Sequence, residues 1–485
     1  MRLRRKSIVL AAAFGVLAAI VAAWIIVGTL SPDAPPDSPV EPFSWAQFLP
    51  ERSDDEPNWQ RVVDNGHLAT FDALRDALIE NTITPDALVG FEFILDQATL
   101  QNIQPLLPAL ETDDRNAAVK RLYAKLMSAP SSPDVLLEKL EDRLGRAFTN
   151  AEEDPDDNGR RFGWAVAINT YAALLAYQNT RDPRFIDMAA DALERSLAYR
   201  DSEIGRVDEF RGRAMHSWGG TRYVEDQRHS TNVTLGGRMA FVLALFADIV
   251  RQDDALQDDY GYFAGKFIEA AQLAMDEYTP EFELTADGTM GYYVRPTHDN
   301  DIEPLNHMAW AGNALILLHE LTGDEQYGTM AEQLARFFRH CMRTGEHGEL
   351  YWRYQPTHED FFGKNVEWVW KSRTTTQFIH FAWQRGVVFA DEDVQAVATM
   401  MLTNVFRPDG RISARIDPQF HDMEEFAGFR GNYLATTPYI LLDDVSPELR
   451  DRIEDLVASR PDIGGWMFNR HGVIAYAHRM RDAHE

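Results

Sequence analysis

From Trp45 onward, apolar residues recur every three to four positions over most of the chain, the period of helices that bury one face. The early stretches "DDRNAAVKRLYAKLM" and "SPDVLLEKLEDRLGRAF" carry this pattern, and Ser132 or Asp134 stands where the second helix needs a side-chain acceptor at its start. The acidic run "NAEEDPDDNG" then interrupts the periodicity and reads as a loop or soft boundary. Beyond it, longer apolar helices come in pairs. "AINTYAALLAYQNTRDPRFIDMAADALERSLAYR" matches "GNALILLHELTGDEQYGTMAEQLARFFRHCMR" at a constant offset of 142, aligning Thr180 with Thr322, Asp182 with Asp324 and Phe185 with Tyr327. Each reads as a helix, a tight turn, an acidic cap and an aromatic anchor opening the returning helix. Further pairs are "TLGGRMAFVLALFADIV" with "GYFAGKFIEAAQLAMDEY", "TTTQFIHFAWQRGVVF" with "DEDVQAVATMMLTNVF", and "NYLATTPYILL" with "SPELRDRIEDLVAS".

A hairpin that repeats cannot bury its apolar face alone and must stack on neighbours. An open tetratricopeptide solenoid repeats tightly at ~34 residues. Here the hairpins recur every ~45–75 residues, with Gly- and aromatic-rich segments between them. That spacing favours an all-α fold, an (α/α)6-7 toroid of helical hairpins with short β-ribbons in the loops. Two such inserts resemble each other: "GTMGYYVRPTHDN" at 288–300 and "GELYWRYQPTHED" at 348–360. They read as short extended ribbons on one rim of the ring.

The first residues depart from this pattern. "MRLRRK" precedes residues 8–30, 23 positions without a charge, long enough at ~1.5 Å per residue to span a bilayer core. This predicts an N-terminal transmembrane helix ahead of the toroid, with Val21-Ala22-Ala23 as an alternative cleavage site. The four basic residues hold the start in the cytoplasm and direct the remainder outward. The layout predicted is a signal anchor or signal peptide (1–30), a Pro-rich linker (31–44), an N-terminal helical region (45–150) part of or packed on the toroid, and the toroid itself (151–485). The expected location is the inner (cytoplasmic) membrane, single-pass, with a periplasmic globule, or secretion if the segment is cleaved.

Composition changes this little: 45% hydrophobic and 25% charged residues describe a globular chain. A formal charge of −29 argues against nucleic acid as a partner, which needs a basic footprint. The single cysteine, Cys341, precludes an internal disulfide and reads as a small buried hydrophobe.

Candidate chemistry lies between the hairpins. Tyr292, Tyr293, Tyr351, Trp352 and Tyr354 occupy Gly/Pro-bounded loops, where they either pack over helix ends or form a platform for sugar rings. "PLNHMAWAG" places Asn306, His307 and Trp310 in the first turns of a helix. "RGRAMHSWGGTRYVEDQRHSTN" gathers Arg211, Arg213, Arg222 and Arg228 with His216, His229, Trp218 and Tyr223. It suits either an anionic ligand or an internal network with Asp208, Glu209, Glu225 and Asp226. In "HEDFFGKNVEWVWKSRTTTQF", Glu359 and Asp360 suit half of a paired-carboxylate hydrolase site, a clamp on Arg353, or a helix cap. "GFRGNY" adds Arg430 and Tyr433. His298 and His358 lack metal-ligand spacing, and no phosphate loop, dinucleotide fingerprint or nucleophile elbow occurs, so no metal or cofactor is expected.

With "PLNHMAWAGNALILLHELTGDEQY", "GELYWRYQPTHED" and "QFIHFAWQRGVVFADEDV" in view, residues 163–459 resemble the six-hairpin (α/α)-toroid carbohydrate-active enzymes. Within them the chain is most similar to uronate-specific polysaccharide lyases and glucuronyl C5-epimerase-like proteins. That family places a histidine shortly after the Glu-Asp pair, where this chain has Lys371-Ser372-Arg373. Both reactions start with abstraction of the C5 proton, which needs a neutralised sugar carboxylate, a base and, in lyases, an acid at the leaving oxygen. The resemblance implies Asn306, Arg228 or Arg353 as neutralisers, His229 or His307 as base, and Tyr351 or Tyr433 as acid. Arg211, Arg222, Trp218, Tyr293, Trp310, Trp352, Glu359, Asp360 and Arg430, from the loops and helix starts above, are the further candidate substrate contacts. The expected protein is thus a membrane-anchored extracytoplasmic lyase or epimerase acting on an acidic, uronate-containing polysaccharide. One alternative is a glycoside hydrolase using Glu359/Asp360 with Glu303 or Glu225/Asp226. Another is a non-catalytic glycan-binding or assembly protein.

Overall fold

Thr180 and Thr322 open the structure's two most alike turns. Each hydroxyl donates to the carbonyl four residues back (Ala176, 2.7 Å; Leu318, 2.6 Å) and accepts the amide two residues on (Asp182 and Asp324, both 3.2 Å). Asp182 and Asp324 then cap the next helix, accepting from the amides of Arg184 and Gln326. Between them Arg181 (φ 57°) and Gly323 (φ 73°) take the left-handed conformation that ends a helix. Phe185 and Tyr327 insert into the core one turn later. The repeated sequence is therefore a repeated hairpin turn.

The computed structural model describes residues 133–221, 224, 227–407, 410–418, 435–459 and 472–480, all within one compact unit, Ala98–Glu485. The N-terminal apolar run, the Pro-rich linker, residues 45–132, Arg222, Arg430 and Tyr433 lie outside the described residues. The described part is mostly helical, consistent with the all-α toroid expected. Its helices are α1 (Pro133–Glu153), α2 (Ala167–Thr180), α3 (Pro183–Leu197), α4 (Val233–Gln252), α5 (Asp254–Asp276), α6 (Leu305–Thr322), α7 (Glu325–His340), α8 (Val369–Gln384), α9 (Asp391–Met400), α10 (Pro447–Ser459) and α11 (Gly472–Arg479). A 3₁₀ stretch, Thr437–Leu442, stands where a further helix was expected, with Pro438 in its first turn.

α2, α4, α6, α8, the 3₁₀ stretch and α11 contact one another in that order, and α11 returns to α2. Outside this closed succession, α3, α5, α7 and α9 each pack on the inner helix preceding them, α10 packs on the 3₁₀ stretch, and α1 covers α2 and α11. The described residues thus make six hairpins. Burial separates the two layers. Outer helices show a stripe, such as Phe185, Ile186, Ala189, Leu193 and Leu197 on α3. The inner α4 is buried from Val233 to Val250; although apolar and long enough to cross a membrane, it is a core helix. Gly237 lets it approach α6, because a Cβ there would stand 2.7 Å from that of Ala311. Each large apolar side chain so enclosed contributes about 1.5–3 kcal/mol.

Connection lengths orient the ring. Inner helices lead into outer ones through turns of one or two residues at 181–182, 253 and 323–324, whereas residues 198–232, 277–304 and 341–368 lead into α4, α6 and α8. The N-terminal ends of the inner helices and the long inserts therefore share one rim. Both ribbon inserts stand there. In the first, β1 (Phe282–Leu284), β2 (Gly291–Arg295) and β3 (Asp301–Ile302) form an antiparallel sheet with β2 central. In the second, β4 (Arg343–Thr344) pairs with β5 (Leu350–Tyr351), and β6 (Arg353–Gln355) with β7 (Lys364–Val366). The two inserts touch: Nε2 of His358 meets the Asn300 carbonyl at 3.2 Å, and Tyr292 packs edge-on against the His358 ring. At the opposite end Arg385 ties α4 to α6, bonding Asp248 at 2.8 Å and also Glu320.

Candidate active site

Helical spacing builds the centre of the ring in layers. Tyr171 (α2), Phe241 (α4), Trp310 (α6) and Phe381 (α8) meet as an aromatic floor, with ring centres 5.2–5.5 Å apart in the four contacts that link them. One turn toward the rim, Gln377 accepts from the Trp310 indole at 2.9 Å, and the Arg238 guanidinium lies 3.6 Å over Trp164 and 5.0 Å from Trp310. The next residue up on α6 is His307, and the stripe Phe381, Gln377, Thr374, Trp370 reaches the mouth along α8.

His307 joins three segments. Its Nδ1 lies 3.0 Å from Oε2 of Glu303, just before the helix, and its Nε2 lies 3.4 Å from the Tyr354 hydroxyl on β6. Glu303 is buried and His307 only partly so. With Nδ1–H donating to the carboxylate, Nε2 is left as an acceptor facing Tyr354. Burial holds the imidazole below its ordinary value of 6.5, and the Arg238 and Arg295 charges add to this, while Glu303 opposes them. A neutral imidazole at neutral pH, beside a phenol and two guanidinium groups, can abstract a proton and return it, in surroundings that attract an anion.

Beside this relay the Lys371 ammonium stands 3.5 Å over the Tyr354 ring. Lys371 interacts with the fully enclosed Glu367, whose carboxyl burial pushes up to about 8.

Not every predicted site residue is here. Asn306 is buried beside His307, and its Oδ1 accepts no hydrogen bond. Tyr351 and Arg353 both lie against Phe362, because alternate strand residues face opposite ways and Tyr354 takes the side toward His307. Arg353 also donates to Gly363 and stands 3.7 Å from Asp417. Glu359 and Asp360 are exposed; Asp360 accepts from the Phe362 amide in its own turn, so neither clamps Arg353.

The basic loop is a correction. Arg211 bonds Asp208 at 2.6 Å and Glu281 at 2.7 Å, so the internal network describes this arginine, with Glu281 in place of the acids expected beside Asp208. Burial works against an ionised Asp208, but the amides of Thr231 and Arg211 and the Arg211 charge hold it below its usual range. His229 is buried, 2.7 Å from Asp201, and cannot reach a substrate proton. Arg228 lies over Phe210. Trp218, Tyr293, Trp310 and Trp352 are also corrections, being at most 1% exposed: an enclosed ring offers no face to a sugar.

Sequence reasoning placed Tyr354 only among the rings of a candidate sugar platform, assigned no role to Arg238, Arg295, Trp370 or Lys371 in this site, and considered Glu303 only as a hydrolase acid. Two signals were present. Arg238 is a basic residue inside the apolar stretch of α4, whose other buried charge is Asp248, and Glu303 precedes His307 by four residues.

No protein-family model matches the chain, and no curated protein does. Among solved structures, the chain is similar to the GH76A alpha-1,6-mannanase of Salegentibacter sp. HEL1_6, with 12% identity over 67% of this chain and 90% of that one, at a TM-score of 0.40. It is also similar to an unsaturated glucuronyl hydrolase of Bacillus sp. GL1, responsible for degradation of glycosaminoglycan, with 14% identity over 70% and 94% of the chains, at a TM-score of 0.43.

Proposed function

We propose that this protein is an enzyme acting on a uronate-containing glycan by abstraction of the proton next to the sugar carboxylate, as a lyase or an epimerase. The Glu303–His307–Tyr354 relay on the rim carries the reading. Neutral His307 takes the C5 proton through Nε2, while Glu303 stabilises the imidazolium that forms. Arg238 and Arg295 favour the enolate-like anion, and Tyr354, on the same side of the sugar as His307, protonates the leaving oxygen; an epimerase would take the returning proton from another group on the opposite face. The 3.4 Å contact is long, as acid–base contacts commonly are before substrate tightens them.

A paired-carboxylate hydrolase is the second reading, and Glu367 favours it, since burial raises its carboxyl toward the protonated state of a general acid. Glu367 is fully enclosed, however, and would need uncovering, whereas His307 is already partly exposed. We also infer that residues 8–30 anchor the chain in the inner membrane with the helical ring outside, where polymeric glycans are met.

The test is to incubate the purified full-length protein with uronate polymers. Rising absorbance of unsaturated uronate identifies a lyase, and solvent deuterium entering C5 without cleavage identifies an epimerase. New reducing ends without absorbance identify a hydrolase and overturn the first reading. Binding with none of these leaves a glycan-binding protein.

A further inference from the structure

We propose that Trp370 and Lys371 form a second sugar subsite beside the His307–Tyr354 centre, taking a neighbouring uronate with its ring on the indole and its carboxylate on the ammonium. This rests on the reading above and extends it from one reacting residue to two adjacent acidic ones.

Three observations carry the assignment. Trp370 is 45% exposed, and among the described residues no other tryptophan is. An exposed apolar residue alone needs no explanation. Its position does: Trp370 continues the stripe of Phe381, Gln377 and Thr374 to the rim end of α8.

Second, the geometry ties Trp370 to the relay. The Lys371 ammonium stands 5.2 Å from the Trp370 ring centre and 3.5 Å from that of Tyr354. The two ring centres are therefore no farther apart than those two distances together, within the reach of two linked sugars, so one on Trp370 can be joined to one at His307.

Third, the charge matches the ligand. In a chain of formal charge −29, a half-buried ammonium between two aromatic faces at the cleft mouth is an anion contact for a polymer bearing one carboxylate per sugar. Indole binds the C–H face of a pyranose, leaving its equatorial carboxylate at the ring's edge, where Lys371 reaches it.

The test measures binding apart from reaction. Full-length protein carrying His307→Ala is titrated calorimetrically with a saturated uronate trisaccharide, its carboxyl-reduced counterpart, and a single uronate. Trp370→Ala is expected to weaken both trisaccharides about tenfold and leave the single uronate unchanged. Lys371→Met is expected to weaken only the acidic trisaccharide, with Lys371→Arg restoring it; unchanged affinity for the carboxyl-reduced trisaccharide separates ligand contact from loss of the Glu367 partner, which would weaken both. Unchanged trisaccharide affinity in Trp370→Ala or Lys371→Met overturns the subsite while leaving the His307 chemistry standing. Failure of every uronate ligand to bind overturns both.

Discussion

The phenolic oxygen of Tyr354 lies 3.4 Å from Nε2 of His307, a meeting of residues 47 positions apart that occurs because a ribbon entering α8 folds over the start of α6. Removing either partner tests the relay. His307→Ala should lower kcat by about 10²–10⁴, the usual contribution of a positioned base. Tyr354→Phe keeps the ring under Lys371 and loses only the hydroxyl, so it should lower kcat at unchanged stability. Wild-type turnover in Tyr354→Phe would remove that residue from the chemistry.

The pH profile follows from the charges around His307. The base must be neutral, and its value is held below 6.5, so kcat/KM should fall only when the pH drops below that point. Arg295→Gln removes a charge that opposes protonation and should move this acid limb to higher pH. Glu303→Gln removes the charge that favours protonation and should move it lower. Shifts in the same direction would show that the limb belongs to another group.

Gly219 holds the basic loop closed. A side chain there would collide with the His229 ring and the Asp201 carboxylate, both buried. Gly219→Ala should destabilise the protein by about 1–3 kcal/mol through overpacking, read as a lower midpoint in thermal or urea unfolding. Since His229 is placed here outside the chemistry, the residual folded enzyme should keep its kcat.

Arg385 works at the far end of the ring. Arg385→Met strands Asp248 beside Glu320 and should lower stability by about 1–3 kcal/mol, a value discounted for partial exposure. KM and kcat should not move, because the substrate rim lies at the opposite ends of these helices. A loss of activity without loss of stability would place the cleft at the wrong face.

The sequence made the hairpins legible because their determinants are local. Thr180–Asp182–Phe185 and Thr322–Asp324–Tyr327 each bond or pack within one turn, so the same residues produce the same turn. His307 was legible for a similar reason, standing in the first turns of a helix after a long insert. Which tyrosine meets the imidazole was not legible: Tyr351 and Tyr354 look alike in "YWRY", and only strand direction and the fold of the insert decide whose hydroxyl does.

By itself, then, the sequence determined the helical hairpins, their turns and the inserts that carry chemistry, since hydrophobic period and capping act over a few residues. Tertiary structure alone decided which charges pair with which. Arg211 is consumed by Glu281, 70 positions away, and His229 by Asp201, while Lys371 lies over Tyr354 at the open mouth. Electrostatic pairing depends on distance through space, which closure of the ring sets and no local pattern encodes.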